Sequence, residues 1–277
     1  QSLPHPQAIH WTPPRHLIAT FSFDGGVMSG PKNKFGKTIS NSRFKGGVSK
    51  FVPGKIGFAP KFNGNLFFEA GDFGAFGFHD RFSAGAWIYP TDKRGGIILS
   101  RMSGDQLEGK GYCLELKDGK IHLQLLQRWL DDAIRVKTEL TLSPNRWHHI
   151  LFTYNGSRYA DGIKIYINGK NQKLLVPLDA LNQDFKTDEP LRVGSGDGKE
   201  GRFYGIIDEV FLYGNVILPG QAKTLATSTP ISEISSKNSG DRTPGERNKI
   251  TNYFLELKAP ASIKKLYKSM LDLRDTK

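Results

Sequence analysis

Residues 112–126, YCLELKDGKIHLQLL, decide the fold of this chain. The dipeptide Asp118-Gly119 separates two strand-like runs, and both of its residues accept the positive φ angles of a two-residue β-hairpin turn. The stretch therefore predicts an antiparallel hairpin, and counting outward from the turn pairs Leu116 with Ile121.

This register assigns the side chains of the hairpin to two faces, because successive residues of a strand point to opposite sides of a sheet. One face carries only apolar side chains, at Leu114, Leu116, Ile121 and Leu123. The opposite face carries Cys113, Glu115, His122 and Gln124. We expect the first face to lie in the core, and the second to be polar surface or the floor of a groove.

The same alternation recurs from about residue 17 to residue 218. It is clear in LIATFSFDGG from Leu17, RFSAGAWIYP from Arg81 and WHHILFTYNG from Trp147, and IKIYINGK from Ile163 contains a second hairpin turn. A chain with 31 glycines and 18 phenylalanines is typical of many short strands joined by tight turns. The pattern predicts an all-β protein, a two-sheet antiparallel sandwich.

The character of the sequence changes after Leu218. Residues 227–248 are rich in Ser, Thr, Pro and Gly and are predicted to be a linker. Beyond them the apolar residues recur at helical spacing, at Ile250, Tyr253, Phe254, Leu257, Ile263, Leu266, Tyr267, Met270 and Leu273. The predicted organisation is an N-terminal extension at 1–16, a jelly-roll domain at 17–226, the linker, and a helical tail at 249–277.

The formal net charge of +12 is confined to the two flanks: residues 1–60 carry +7, residues 221–277 carry +5, and the middle is balanced. Solvated flanks, or surfaces that dock acidic neighbouring domains, account for this distribution, so no nucleic-acid partner is predicted. No apolar run is long enough to predict membrane insertion, and the first residues lack the pattern of a signal peptide. Cys113 is the single cysteine, so the chain forms no internal disulfide.

An ordered set of motifs resembles the laminin-G-like, concanavalin A-like lectin domains of bacterial proteins. The set consists of FSFDGG, KFNGNLFF, RFSAGAWIYP, NRWHHILFTYNG, IKIYINGK and YGIIDEVFLYGNVIL. The segment from Asp241 to Leu273 is similar to the one that follows this jelly roll in large planctomycete cytochrome-domain proteins. The resemblance implies a jelly-roll sandwich in a larger extracytoplasmic protein, periplasmic or at the cell surface, with a glycan-directed or interaction role.

A structural calcium ion is the cofactor that the resemblance implies, because laminin-G-like folds often hold one near the termini of the domain. Asp24 follows the first strand and Asp208 lies in the last, and these two strands are neighbours in a jelly roll. Asn63 and Gly64 are the candidate loop ligands, since calcium takes oxygen ligands from carboxylates and backbone carbonyls. The alternative is that Asp24 caps a turn and Asp208 pairs with a surface base.

Glycan or polysaccharide binding requires an exposed aromatic ring with planar polar groups beside it. The predicted ligand-binding residues are Arg128, Trp129 and Asp131, where the strand alternation breaks down, the polar hairpin face with Glu115, His122 and Gln124, and Tyr159 on another loop. The alternative for Trp129 is that it packs beneath a loop. His148 and His149 point to opposite sheet faces, so one is expected in the core and one at the surface, with no shared metal.

A glycoside hydrolase is the least favoured interpretation. Retaining glycosidases need two carboxylates about 5 to 5.5 Å apart, and glucanases with this fold carry Glu-x-Asp-x-Glu or a variant one residue longer. EAGDF around Glu69 and IIDEV around Asp208 have the wrong spacing. The sequence therefore predicts a non-catalytic carbohydrate-binding or adhesion module, stabilised by calcium, or alternatively an architectural domain that docks neighbouring domains of a larger protein.

Overall fold

A computed structural model of the chain describes residues 8–24, 42–104 and 109–275. They form two compact units, one from His16 to Ile217 and one that combines residues 8–15 with residues 218–275. Residues 1–7 of the predicted N-terminal extension lie outside the described residues, and so do Gly25 and Gly26 of the FSFDGG motif.

The larger unit consists of β-strands joined by short turns. In chain order the described strands are β1 (Leu17–Phe21), β2 (Arg43–Lys45), β3 (Lys50–Pro53), β4 (Phe58–Asn63), β5 (Phe67–Gly71), β6 (Phe82–Pro90), β7 (Gly96–Ser103), β8 (Lys110–Lys117), β9 (Lys120–Arg128), β10 (Asp132–Thr138), β11 (His148–Tyr154), β12 (Ile163–Ile167), β13 (Lys170–Asn171), β14 (Leu174–Asp179), β15 (Leu191–Val193) and β16 (Tyr204–Tyr213). A 3-10 turn at Ala160–Gly162 precedes β12.

The strands form two antiparallel sheets that pack as a sandwich. The first sheet has the order β13-β12-β11-β6-β16-β4-β3, with β1 paired to β16 as well. The second has the order β14-β10-β9-β8-β7-β15-β5-β2. The predicted fold class, an all-β two-sheet antiparallel jelly-roll sandwich with a C-terminal helical region, is confirmed.

The hairpin formed by β8 and β9 has the predicted register. Asp118 and Gly119 have φ angles of 53° and 75°, and Leu114 pairs with Leu123 and Cys113 with Gln124. The hairpin side chains predicted for the core, Leu114, Leu116, Ile121 and Leu123, are at most 1% exposed, and Ile165 and Ile167 of β12 are at most 4% exposed. They belong to one apolar cluster that fills the space between the sheets.

The smaller unit is helical and includes the segment predicted to be a linker. Its described helices are α1 (Pro219–Leu225), α2 (Ile231–Ser236), α3 (Pro244–Tyr253) and α4 (Ala261–Asp275), with a 3-10 turn at Ser239–Asp241 and a π-helical turn at Phe254–Lys258. Thus 227–248 is not a plain linker: Ile231 and Ile234 are buried. In the described part of the chain, no helix is long and apolar enough to cross a membrane.

Polar contacts organise this unit locally. The Thr243 hydroxyl accepts a hydrogen bond from the Glu246 backbone N–H, and the Glu246 side chain accepts one from Thr243 N–H, a reciprocal cap that begins α3. Lys249 is buried, and its ammonium donates to the carbonyls of Thr227 and Thr229 at 2.7 and 2.9 Å. Arg15, just before the sandwich, forms an ion pair with Asp272 of α4 at 2.7 Å.

The predicted apolar stripe of the tail is present but largely exposed. Leu266 and Leu273 of α4 are 71% and 69% exposed, and Phe254 is 48% exposed. Met270 is also exposed, at 36%. Other apolar contacts lie within this unit: Ala222, Ile231 and Ile234 are buried, and the Trp11 ring packs edge-on against Tyr253 at 5.8 Å.

The core register has a direct test in the stability of the fold. Leu116 is 1% exposed and lies in the core cluster, so Leu116→Ala is expected to lower the free energy of unfolding by about 2 to 5 kcal/mol. Leu130 is 81% exposed, and Leu130→Ala is expected to change it by less than about 0.5 kcal/mol. Urea unfolding of both variants measures this, and equal effects would contradict the register.

Candidate functional site

Strand β16 changes its partner at Asp208. Along one edge of β16, Tyr204 to Ile206 pair with β4, whereas Val210 to Tyr213 pair with β1. Asp208 falls between these two pairings, and the register against β6 shifts directly after it. The predicted proximity of the first and last strands is confirmed. Between the two pairings there is a gap in the ladder, where side-chain oxygens accept the backbone hydrogen bonds.

Two carboxylates converge on the turn between β3 and β4 at this gap. Asp208 Oδ2 accepts hydrogen bonds from the backbone N–H groups of Lys55 and Ile56 at 2.8 and 3.1 Å. Asp24 Oδ1 accepts one from Phe58 N–H at 3.1 Å. Gly57 has φ of 55°, and a Cβ there would lie 1.9 Å from Asp24 Oδ1, so only glycine fits this close approach.

The Asp208 carboxyl is fully buried, and its environment disfavours ionisation. Burial raises its pKa from the ordinary 3.8 to about 7, and the charge of Asp24 adds to the increase. Hydrogen bonds from the backbone of Ile56, Glu209 and Lys55 act in the opposite direction but do not outweigh burial. A positive charge between the two carboxylates would relieve this repulsion.

Asn63 and Gly64 lie away from this pair, at the other end of β4. Asn63 pairs with Tyr204, four residues along β16 from Asp208. The Asn63 side-chain oxygen accepts hydrogen bonds from the backbone N–H groups of Asn65 and Leu66 at 3.0 and 2.9 Å. The prediction that Asn63 and Gly64 complete the metal site is therefore not supported. Asn63 caps its own turn, and Gly64 lines the cleft described below.

The polar face of the second sheet, defined by Glu115, His122, Gln124 and Arg135, is a second candidate site. Glu115 pairs with His122 across the β8–β9 hairpin, and Gln124 pairs with Arg135 of β10. Glu115 and Gln124 are each only 4% exposed. Burial and, to a smaller extent, the charges of nearby lysines, Lys137 first, together lower the pKa of His122 to about 4. The predicted placement of the three hairpin residues on one face is correct.

This polar face contains polar atoms that are buried without a hydrogen-bond partner in the described protein. They are Gln124 Oε1 and Arg135 Nε. The Arg135 guanidinium lies 4.3 Å from the ring centroid of Trp129. Trp129 is half-buried and packs against the apolar cluster that contains Cys113 and Leu126 on this side of the sheet. Buried polar groups are normally bonded, so we expect a buried water or a small side-chain shift to satisfy these two atoms.

A cleft of about 420 Å³ opens beside the polar face, and Glu115 lines it. Its walls come from four separate turns, at Gly64, Arg94–Gly96, Lys117–Asp118 and Lys199–Tyr204. The basic side chains that line it are Arg94, Lys117, Lys199 and Arg202, and the acidic ones are Glu115, Asp118 and Glu200. Oppositely charged groups in one concave site offer both donors and acceptors to a polyhydroxylated ligand.

The remaining predicted ligand-binding residues lie at the margins. Arg128 and Asp131 form an exposed ion pair at 2.9 Å in the turn between β9 and β10. Tyr159 is 58% exposed and belongs to the connection between β11 and β12, in the other sheet. The structure thus brings together Glu115, His122 and Gln124, with Trp129 nearby, and leaves Tyr159 apart.

Several residues of the cleft were not predicted from the sequence. Arg94, Lys199, Arg202 and Tyr204 lie in turns between strands, and only the topology brings them together. The position of Arg135 could have been predicted, because extending the hairpin pattern by one strand places it opposite Gln124. Basic and aromatic residues in Gly-rich turns, such as GDGKEGRFYG before β16, are the signal that was available.

The histidine prediction needs a correction. His148 and His149 are both buried, at 4% and 0% exposure, so neither is a surface residue. His149 lies between Trp87 and Phe211, with ring centroids at 5.2 and 5.6 Å. Aromatic side chains therefore also cover the outer side of this sheet, which strand alternation alone does not reveal. Burial lowers the pKa of His149 to about 3.

In the described residues no group of three or more His, Cys, Asp and Glu side chains is arranged to hold a metal ion. Any ion beside Asp24 and Asp208 would therefore need backbone carbonyls as further ligands. The donors at hand, two carboxylates and the peptide oxygens of the turn, are all oxygen and fit a hard cation such as calcium.

The architecture and its polar cleft define a β-sandwich of the lectin-like class. Residues 63–222 match the family described as the Concanavalin A-like lectin/glucanases superfamily. The match spans more than half of the chain, and the chain therefore belongs to this family. A search of curated proteins found no match.

Solved structures share the fold at low sequence identity. Domain 4 of AbnA, a GH43 extracellular arabinanase from Geobacillus stearothermophilus in complex with arabinotriose, is 19% identical with a TM-score of 0.52, covering 76% of this chain and 98% of that one. The binding domain of Paraclostridial Mosquitocidal Protein 1 is 18% identical with a TM-score of 0.57, covering 80% and 53%. The botulinum neurotoxin serotype D binding domain is 15% identical with a TM-score of 0.53, covering 79% and 51%.

These likenesses concern the fold. The chain spans about half the length of the two toxin binding domains and nearly all of the arabinanase domain.

The amide oxygen of Gln124 is buried without a hydrogen-bond partner in the described residues, so replacing this side chain is expected not to destabilise the fold. Gln124→Met keeps the volume but removes a buried polar group, so we expect the free energy of unfolding to stay the same or rise by up to about 1 kcal/mol. Gln172→Met, in a side chain that bonds the Lys170 carbonyl, is the matched control, with a change within about 0.5 kcal/mol. A loss above about 1 kcal/mol for Gln124→Met in urea unfolding would assign the amide a structural role.

Proposed function

We propose that this chain is a non-catalytic carbohydrate-binding or adhesion module of a larger extracytoplasmic protein. The observation that carries the proposal is the cleft of about 420 Å³, whose lining combines basic side chains with the carboxylates of Glu115, Asp118 and Glu200. Side chains of both kinds bond the hydroxyl groups of sugars. The arabinanase domain with arabinotriose and the toxin binding domains, which are binding modules with this fold, support the class.

The extracytoplasmic setting rests on the family and on an extracellular neighbour, the arabinanase. A glycan partner outside the cytoplasm is consistent with a module whose other domains perform the chemistry. The absence of catalysis is part of the proposal and rests on the carboxylates. Asp24 and Asp208 form a pair with one raised pKa, but Asp208 is fully buried and accepts three backbone N–H bonds. It is positioned to close the strand ladder and not to reach a substrate.

We further propose that Asp24 and Asp208 hold a structural calcium ion, with backbone carbonyls of the turn at 54–57 in place of the Asn63 and Gly64 first predicted. The ion would compensate the repulsion between the carboxylates and tie the end of β1 to the start of β4. Calcium would supply charge compensation and no chemistry, which suits a binding module.

An architectural function is the second candidate, and the helical unit favours it. Leu266 and Leu273 expose most of their side chains, which is unusual for soluble surfaces when such residues form a stripe. Neighbouring domains of a larger protein are the partners that this alternative implies. It predicts that the cleft binds no saccharide and that variants of the stripe, not of the polar face, disturb function.

Calcium is expected to raise the melting temperature of the wild-type protein relative to chelator, and to do so more strongly as the pH rises from 5 to 8, because binding needs the ionised Asp208. In chelator, the raised pKa of Asp208 means that the native state holds a proton that the unfolded state has lost. Stability should therefore fall as the pH rises from about 4 through about 7, and Asp208→Asn should remove both dependences.

The control for this measurement is Asp188→Asn, which removes an exposed carboxylate elsewhere in the sandwich unit and should retain the calcium response. Asp24→Asn should lose it. Differential scanning fluorimetry over calcium concentration and pH reports all four proteins. A wild-type protein that shows no shift at millimolar calcium would remove the ion from the proposal.

Saccharide binding is tested with an immobilised panel of neutral and acidic oligosaccharides that includes arabino-oligosaccharides. We expect at least one ligand of the wild-type protein, and about a 10-fold loss of affinity in Glu200→Ala, which removes an exposed acceptor from the cleft. Glu139→Ala, which removes a carboxylate outside the cleft, should bind like the wild type. Absence of binding across the panel, with the fold intact by circular dichroism, would favour the architectural function.

A further inference from the structure

Two arginine side chains are held in place at the cleft before any ligand binds. The Arg94 guanidinium lies 5.0 Å from the ring centroid of Tyr204, and its Nε and Nη2 donate to Asp92 Oδ2 at 3.0 and 2.6 Å. The Arg202 guanidinium lies 4.8 Å from the ring centroid of Phe67, and its Nη1 donates to the Asn65 carbonyl at 2.9 Å. In each arginine, the ring contact and the hydrogen bonds restrict the side chain before a ligand arrives. The side chain therefore loses less conformational entropy when a ligand binds.

Both guanidinium groups keep donors that the protein does not use. Arg202 Nε is buried and has no hydrogen-bond partner among the described residues. The bonds recorded for Arg94 leave its Nη1 unused. Because Arg202 Nε has almost no accessible surface and Arg94 Nε is bonded to Asp92, the donors that both groups can offer to the two oxygens of a carboxylate are at their terminal nitrogens.

The lysines of the cleft form no ion pair in the described residues. Lys117 and Lys199 line the cleft, and the ion pairs found in the described structure involve neither. Lys117 also pairs directly with Lys120 across the hairpin. Burial lowers the pKa of His122 on the adjoining polar face, and the charges of Lys137, Lys117 and Lys120 contribute, which agrees with a positive potential there.

The three acidic side chains of the cleft argue against a simple anion as the ligand. Glu115 lies at the floor, whereas Asp118 and Glu200 are exposed at the rim. Carboxylates accept hydrogen bonds from hydroxyl groups but repel phosphate or sulfate alone. The mixture suits a molecule that carries one acidic group among many hydroxyls.

We propose that the cleft binds a uronate-bearing oligosaccharide, whose carboxylate is held by Arg94 and Arg202 and whose hydroxyls bond the acidic side chains Glu115, Asp118 and Glu200. This rests on the proposed carbohydrate-binding function and narrows its ligand class. The lysines guide the acidic saccharide toward the cleft, and the guanidinium forks select the carboxylate.

The experiment compares matched probes by isothermal titration calorimetry. Galacturonate, glucuronate and mannuronate oligosaccharides are each titrated beside the same chain after reduction of its carboxyl groups to hydroxymethyl groups. We expect at least one uronate series to bind about 10-fold or more tightly than its reduced counterpart, as for a charge-assisted hydrogen bond. Sulfated neutral oligosaccharides form the third arm and are expected to bind more weakly than the uronate.

Variants assign the preference to the cleft. Arg202→Lys and Arg94→Lys keep the charge but lose the fork, and each should reduce the preference for the uronate about 10-fold. Arg158→Lys is the matched control, because Arg158 also lies over an aromatic ring, that of Phe78 at 5.6 Å, but outside the cleft. Melting temperatures identify any variant that fails to fold, and Lys117→Met then serves as the second cleft variant.

The outcomes separate this inference from the function on which it rests. Equal affinity for uronate and reduced chains would overturn the inference and leave carbohydrate binding in place. Tighter binding of the sulfated arm, or an equal loss in Arg158→Lys, would also overturn it. Failure of all saccharides to bind would overturn the proposed function itself.

Discussion

The turn at Asp118-Gly119 is the constraint on which the rest of the sandwich depends. Its two positive φ angles set the pairing of β8 with β9, and a slip of one residue would turn over the two faces of one strand relative to the other. If β9 slipped, its apolar side chains would meet solvent, while His122 and Gln124 would enter the core. The turn also joins the walls of the cleft, since Gly119 N–H donates to the Lys93 carbonyl at 3.0 Å. One dipeptide thus positions both the core and the candidate site.

The order of the strands around β16 also explains why Asp208 is buried. Because β16 exchanges β4 for β1 along one edge, the backbone N–H groups of Lys55 and Ile56 have no strand partner there, and the carboxylate of Asp208 accepts from both. The Asp208 carboxylate thus accepts hydrogen bonds that the carbonyl groups of a neighbouring strand would otherwise accept. This arrangement satisfies the peptide groups but confines a carboxyl beside Asp24 in a site where ionisation is unfavourable.

The features that depend on residues close together in the sequence were predicted correctly. The hairpin register, the core side chains and the shared face of Glu115, His122 and Gln124 follow from period-two alternation and one turn. The cleft residues Arg94 and Arg202 do not, because they are distant in sequence and meet only through strand order. Thr243 and Glu246 carry a capping pattern with proline at the first helical position; composition alone concealed it and suggested a linker at 227–248.

The position of β16 at the centre of its sheet has a consequence for synthesis. Phe21 pairs with Val210, so the first strand waits for nearly the whole sandwich to be translated before its partner exists, roughly 10 to 40 s at ribosomal rates of about 5 to 20 residues per second. The second sheet is different: β7, β8, β9 and β10 are consecutive neighbours and have few residues to wait for. Nascent chains would therefore carry the paired strands β7 to β10 while β1 keeps an open edge until β16 emerges.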